Sequence, residues 1–246
     1  MNNVTVDLNN PSLYTEPDSP LYRFKRRLTF RHVMKWLRRA TRGRERFDML
    51  EIGTGAGFFA SFVEQEFPNA NITGIEYDPR LVELAKTKVR MSTIVQGNAE
   101  ELDLPDDTFD VVVSLQVIEH LYRPEMMLRR VHSLLRSSGM FIFTTPNVGG
   151  AGARMMGPRW HGYCDDHVSL KTVADWRAIA QAHGFATVYC GSTFFSGIPW
   201  MNRLPLAVVN WGLLLTLGSL PWKHGESFVG VFRRIDATAT TLHDRT

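Results

Sequence analysis

The sequence predicts an α/β protein built on a mostly parallel sheet, and three observations carry that expectation. Apolar runs of strand length alternate with segments of helical period from Phe47 to Thr145. The first such run ends in a turn with glycine at 53, 55 and 57, and the second closes on a carboxylate, Glu76. Alternation of this kind builds right-handed parallel βαβ units that take their ligands at the carboxyl ends of the strands. Both motifs lie at such ends.

Taken in order, residues 1–18 are polar and punctuated by Pro11 and Pro17, which predicts a loosely ordered arm. Ser19 and Pro20 read as N-cap and first residue of a helix. Leu21, Phe24, Leu28, Phe30, Val33 and Leu37 give it an apolar stripe. Strands are expected at 47–52, 71–76, 92–96, 109–115 and 140–145, and helices after the glycine turn, at 79–90 and at 124–136. Pro79 suits a first helical position, and Leu81, Leu84, Ala85 and Val89 mark one face. The chain then divides into an arm and basic cap helix (1–45), a ligand-binding core (46–145), a substrate loop with a last helix and sixth strand (146–197), a hydrophobic insertion (198–225), and a closing strand with a tail (226–246).

Composition narrows the class. The 246 residues are 44% hydrophobic, enough for one α/β core with an insertion. Cys164 and Cys190 make no C-x-x-C pair and no apolar leader opens the chain, so a reduced, cytoplasmic setting is expected. The net charge of +3 hides an asymmetry: eleven of the 28 Lys/Arg lie between Tyr22 and Arg46 beside a single acid, Glu45, leaving 17 bases against 24 acids elsewhere. This basic arm reads as a solvated face, or as a contact for anionic lipid headgroups or an anionic substrate. No nucleic-acid-binding motif accompanies it, so nucleic acid is not expected as a partner.

The glycine turn opens onto a helix N-terminus, whose free N–H groups suit an electron-rich ligand edge. Glycine lets a ligand lie against the backbone. A carboxylate about 20 residues beyond the first glycine is placed to accept from a ribose diol. That arrangement fits NAD, FAD or S-adenosylmethionine. Dinucleotide sites favour G-x-G-x-x-G, whereas the run here is Gly53-Thr-Gly55-Ala-Gly57. With Glu51 before it, Leu50-Glu-Ile-Gly-Thr-Gly-Ala-Gly57 resembles the first motif of class I S-adenosylmethionine-dependent methyltransferases.

Further motifs extend the resemblance over residues 45–145. Gln96-Gly-Asn-Ala-Glu100 stands where the family carries a Gly-Asp-Ala-like segment, Leu104-Pro-Asp-Asp-Thr-Phe-Asp-Val111 is similar to its lead into the fourth strand, and Ser114-Leu-Gln-Val-Ile-Glu-His-Leu121 closes that strand. The resemblance implies a Rossmann-like sheet of seven strands with one antiparallel edge strand, Glu226–Arg233, paired to Thr187–Thr193. It implies S-adenosylmethionine held by Glu51, Gly53, Thr54, Gly55, Gly57, Glu76, Tyr77, Asn98, Ala99, Glu100 and Gln116. The nearest branch contains the ubiquinone-biosynthesis O-methyltransferases, where an E-x-x-E-H run is associated with a divalent metal. Here Gln116 replaces the first acid, and an amide serves a hard cation poorly, so no metal is expected.

The implied reaction is methyl transfer to a hydroxyl oxygen of a small or lipophilic metabolite. Transfer to nitrogen or carbon, and a non-catalytic cofactor-binding subunit, stay open, as does a homodimer. Pro146-Asn-Val-Gly-Gly-Ala-Gly152 reads as a flexible loop. Beyond it, Arg159-Trp-His-Gly-Tyr-Cys-Asp-Asp-His167 concentrates polar chemistry. Histidine is the usual proton acceptor near neutral pH: His167, oriented by Asp165 or Asp166, and His120 are the candidate bases, each with a purely structural role as the alternative. Trp160, His161 and Tyr163 are candidates for the acceptor pocket. From Leu204 to Trp222 no charge occurs, but Pro205, Gly212, Gly218 and Pro221 punctuate the run. It reads as a lid over an apolar substrate, a helical hairpin at a dimer interface, or an interfacial segment in peripheral contact with a bilayer.

Overall fold

A computed structural model describes residues 20–193 and 203–236. The expected N-cap at Ser19, the amino-terminal arm, the start of the hydrophobic insertion and the tail beyond Asp236 lie outside the described residues. The elements run α1 (Pro20–Ala40), β1 (Phe47–Ile52), α2 (Phe58–Glu66), β2 (Ala70–Glu76), α3 (Pro79–Lys88), β3 (Thr93–Gln96), β4 (Phe109–Leu115), α4 (Pro124–Leu134), β5 (Leu135–Pro146), α5 (Ala151–Met156), α6 (Val173–Ala182), β6 (Phe185–Thr193), α7 (Leu206–Leu217), β7 (Ser219–Leu220) and β8 (Ser227–Arg234).

Together the strands form one Rossmann-like sheet in the order β3-β2-β1-β4-β5-β8-β6-β7. The pairs from β3 to β5 are parallel, and β8 runs antiparallel to both β5 and β6. The expected pairing of the closing strand with β6 is present. Two details differ: β8 is wedged between β5 and β6 instead of lying outermost, and the two-residue β7 makes an eighth strand. A period-two pattern cannot tell an edge strand from a central one when both its faces are apolar, as Phe228, Val229, Val231 and Phe232 are.

Strand alternation splits the core in two. Leu50, Ile52, Val112, Phe141 and Phe143 face α4 and α6, and Met49, Val111, Val113 and Ile142 face α1 and α2. Helix α1 is therefore a layer on the sheet, with Val33, Met34 and Leu37 buried. At the amino ends of the strands the buried Asp110 accepts from Arg44, from Arg136 Nη1 (2.8 Å) and from the Asp48 backbone N–H (2.9 Å).

Helix α3 stops short of its expected end. The Glu64 carboxylate accepts from the backbone N–H groups of Arg90, Met91 and Ser92, which draws the chain out of the helix towards β3. The segment expected to be a flexible loop, 146–152, is fastened. Buried Asn147 donates to the Lys223 (3.0 Å) and Gly225 (2.8 Å) carbonyls, and Ala151 N–H donates to the His224 carbonyl (2.8 Å). Its glycines serve close approach: a Cβ on Gly152 would stand 2.1 Å from Glu226 Oε1.

Candidate active site

Every candidate cofactor residue lies at the carboxyl edge of the parallel strands. After β1 the turn carries positive φ at Gly53, Gly55 and Gly57. A Cβ on Gly53 would reach 2.2 Å from Val117 Cγ2, and one on Gly57 would reach 2.9 Å from Ala85 Cα; beside Gly55 nothing lies within 4 Å. Two glycines thus allow packing from beneath, and the middle one leaves its outer side open.

From the end of β2, Glu76 reaches this turn. Its Oε2 accepts from Gly55 N–H (2.8 Å) and its Oε1 from Asp78 N–H (3.0 Å). Asp78 in turn caps α3, accepting from Arg80 N–H (2.9 Å). Under the turn Glu51 is 2% exposed, and its Oε2 has no partner among the described residues. Burial, then the nearby Glu76 carboxylate, push the Glu51 carboxyl well above the usual range. After β3, Asn98 Oδ1 accepts from Glu100 N–H (3.0 Å), and Ala99 is buried. Glu100 accepts from Arg123 N–H (2.6 Å), tying this loop to the start of α4. Tyr77 is exposed.

The turn after β4 brings a second group of residues together. Gln116 holds φ +55, a left-handed conformation costly for a residue with a Cβ. With its amide turned so that the nitrogen faces Glu119, it donates to Glu119 Oε1 (3.3 Å) and accepts from Thr145 N–H (3.2 Å). Glu119, fully buried on the 3-10 turn Ile118–His120, leaves Oε2 unpartnered among the described residues. Its carbonyl accepts from Ser169 N–H (2.9 Å), docking the 160–170 loop onto this turn. The loop delivers His167 against His120, ring centroids 4.8 Å apart.

In each histidine one nitrogen is occupied. His120 Nδ1 lies 3.1 Å from the Asp166 carbonyl oxygen and His167 Nδ1 lies 2.8 Å from that of Gly162. These backbone acceptors fix Nδ1 as the protonated atom and leave both Nε2 atoms free to accept. The expected orienting carboxylates are thus replaced by backbone carbonyls, with Asp166 serving His120 through its main chain. Burial, then His167, hold His120 below the usual histidine range, so it is a neutral base. Donor atoms of Glu119, His120 and His167 all lie within 4.8 Å of one another. The sequence reading, resting on Gln116, missed this set, because His167 arrives from a distant loop.

Burial pushes the Glu119 carboxyl up to about 7. The folded state then holds a proton that the unfolded chain releases near 4.5, so stability falls as pH rises from 4.5 through 7 and levels off above. Chemical denaturation of wild type and Glu119→Gln between pH 5 and 8 should show wild type losing about 2.5 kcal/mol relative to the variant. A difference that stays flat across that range would overturn the assignment.

Of the three acceptor-pocket candidates, Trp160 is 1% exposed and donates Nε1–H to Glu226 Oε2 (2.7 Å), pinning the loop to the residue just before β8. It is a buried anchor, since its large apolar ring packs inward and its N–H finds a carboxylate there. Tyr163, partly exposed, packs edge-on to it at 5.2 Å, and His161 is exposed.

Comparison with known proteins places this geometry. The chain is 35% identical over 117 residues to a probable S-adenosylmethionine-dependent methyltransferase of Mycobacterium tuberculosis, covering 48% of this chain and 42% of that one. It is 29% identical over 160 residues to a malonyl-[acyl-carrier protein] O-methyltransferase of Paenibacillus, covering 58% and 56%. It therefore spans only about half the length of these relatives. The crystal structure of a putative sarcosine dimethylglycine methyltransferase from Galdieria sulphuraria superposes with a TM-score of 0.61 at 15% identity, over 85% of this chain and 86% of that one, a likeness of fold alone. The profile of the methyltransferase domain matches residues 24–189, and the chain belongs to that family.

Proposed function

We propose that this chain is an S-adenosylmethionine-dependent methyltransferase that methylates a hydroxyl oxygen of a small or lipophilic metabolite. The observation that carries this reading is the turn after β1, where Glu76 grips the Gly55 amide beside an open space, with buried Glu51 just before the turn and its Oε2 without a partner among the described residues. Gly53, Thr54, Gly55, Gly57 and Glu51 would hold the amino-acid part of the cofactor, Glu76 and Tyr77 its ribose, and Asn98, Ala99 and Glu100 its adenine. Asn98 Oδ1 keeps a second lone pair for an exocyclic amine. Bound there, S-adenosylmethionine supplies a methyl group activated on a sulfonium.

The chain's own residues do the rest. The closed turn and the docked 160–170 loop exclude water and set the acceptor oxygen in place, which removes much of the entropic barrier. The Nε2 atom of His120 or His167 takes the hydroxyl proton. Relatives named as a malonyl-[acyl-carrier protein] O-methyltransferase and a 2-methyl-6-phytyl-1,4-hydroquinone methyltransferase support a small or lipophilic acceptor.

Thermal-shift titration with S-adenosylhomocysteine tests the reading. A hundredfold excess over the dissociation constant should raise stability by about 2.7 kcal/mol, while NADH should have no effect. No shift at millimolar ligand would sink the proposal.

A second reading is favoured by one observation, the convergence of donor atoms from Glu119, His120 and His167. Two imidazoles and a carboxyl group suit a divalent transition metal, which would there orient the acceptor oxygen. Metal content of the purified protein, compared with Glu119→Gln, separates the two readings.

A further inference from the structure

Helix α7 has no polar face. From Leu206 to Leu217 its only side chains able to hydrogen-bond are those of Asn210, Trp211 and Thr216, whereas an ordinary surface helix is polar on its outer side. Yet α7 is not buried. Leu204 is 80% exposed, Val208 65%, Val209 54% and Leu206 40%. Clustered aliphatic exposure of this kind marks a surface that meets something apolar. Twelve residues rise only about 18 Å against a hydrocarbon core of about 30 Å. No helix among the described residues is long and apolar enough to cross a membrane.

A basic stripe on α1 meets it at one end, through Arg31. Arg31, Lys35, Arg38, Arg39 and Arg42 recur at helical spacing on the exposed side of α1 and just past its end. Arg38 is held by Glu66, whereas Lys35, Arg39 and Arg42 have no carboxylate partner among the described residues. Arg31 donates to the Leu215 carbonyl, which fastens the stripe to the last turns of α7. Topology sets the position relative to the cleft. Strand β6 runs parallel to β5 across the antiparallel β8 and ends at Thr193, and after α7 the chain rejoins the sheet at Ser219, the partner of Thr193 in β7. The insertion therefore leaves the sheet at the same end as the glycine turn.

We infer that α7 and the basic side of α1 form one docking face for an anionic lipid bilayer. The aliphatic residues enter the boundary between headgroups and acyl chains, and the cationic groups meet lipid phosphates. Charge complementarity selects a bilayer over a second copy of the chain, since apposing two such faces would bring like charges together. The inference is independent of methyl transfer.

Co-sedimentation of the full chain with vesicles tests it, using phosphatidylcholine alone and phosphatidylcholine with phosphatidylglycerol. Binding is expected to the anionic vesicles and to weaken when salt rises to about 0.5 M. The double variant Val208→Asp with Val209→Asp should lose binding at least tenfold. Lys35→Ser with Arg42→Ser should weaken it about fivefold per charge removed, and this pair carries the test if the aspartates disturb folding, as read by circular dichroism. Equal binding to neutral and anionic vesicles, no binding at low salt, or indifference to both variants would overturn the proposal. So would light scattering that shows a dimer dispersed by the Val208 and Val209 changes while wild type ignores vesicles.

Discussion

Glu76→Ala is expected to weaken S-adenosylhomocysteine binding by about two to four orders of magnitude in isothermal titration. Two hydrogen bonds from a ribose diol to a charged carboxylate contribute roughly 1.5–3 kcal/mol each. The same change also strands two backbone donors, since Gly55 and Asp78 both give their N–H groups to this carboxylate. Glu76→Gln separates these contributions. It keeps an oxygen that can still accept but removes the charge, and a loss of about tenfold is expected from weaker neutral hydrogen bonds. Alanine and wild-type proteins with equal affinity would show that Glu76 supports the turn and does not touch the ligand.

His120→Asn and His167→Asn are expected to lower kcat for methyl transfer by factors on the order of 10²–10³ while leaving S-adenosylhomocysteine affinity unchanged. That split is the signature of a group acting on the acceptor proton. The structure adds a pairing to the expectation. With both Nδ1 atoms on backbone carbonyls, the two rings lie together, their centroids 4.8 Å apart. One ring removed leaves the other nearby, so the double variant should fall further than either single change. Because His120 is held below the ordinary histidine range by burial and by His167, activity in wild type should persist below pH 6.5, and His167→Asn should move the acidic limb of the rate profile upward. Loss of ligand affinity in either single variant would assign the histidines to architecture.

Much of the frame was legible in the residues. The strands β1 and β4 keep their expected bounds, because a strand buried on both faces is rich in apolar side chains, and the few polar ones here, such as Glu51 and Asp110, do not break the runs. The glycine turn and Glu76 were readable because the spacing of a βα turn and its neighbouring strand end is fixed by local geometry. Helix α3 was legible at its start, through Asp78 and Pro79, but not at its end, which the distant Glu64 decides.

What the tertiary structure alone decided are the meetings of residues far apart in sequence. Strand order put β8 inside the sheet. Burial turned Trp160 from a pocket wall into an anchor on Glu226, and fixed the glycine loop through Asn147. Packing of the 160–170 loop onto the turn at Glu119 created the two-histidine, one-carboxylate set, whose members carry no shared local pattern. Local sequence sets the elements, because propensity and period act over a few residues. The site's second half depends on long-range contacts, whose partners only the folded chain selects.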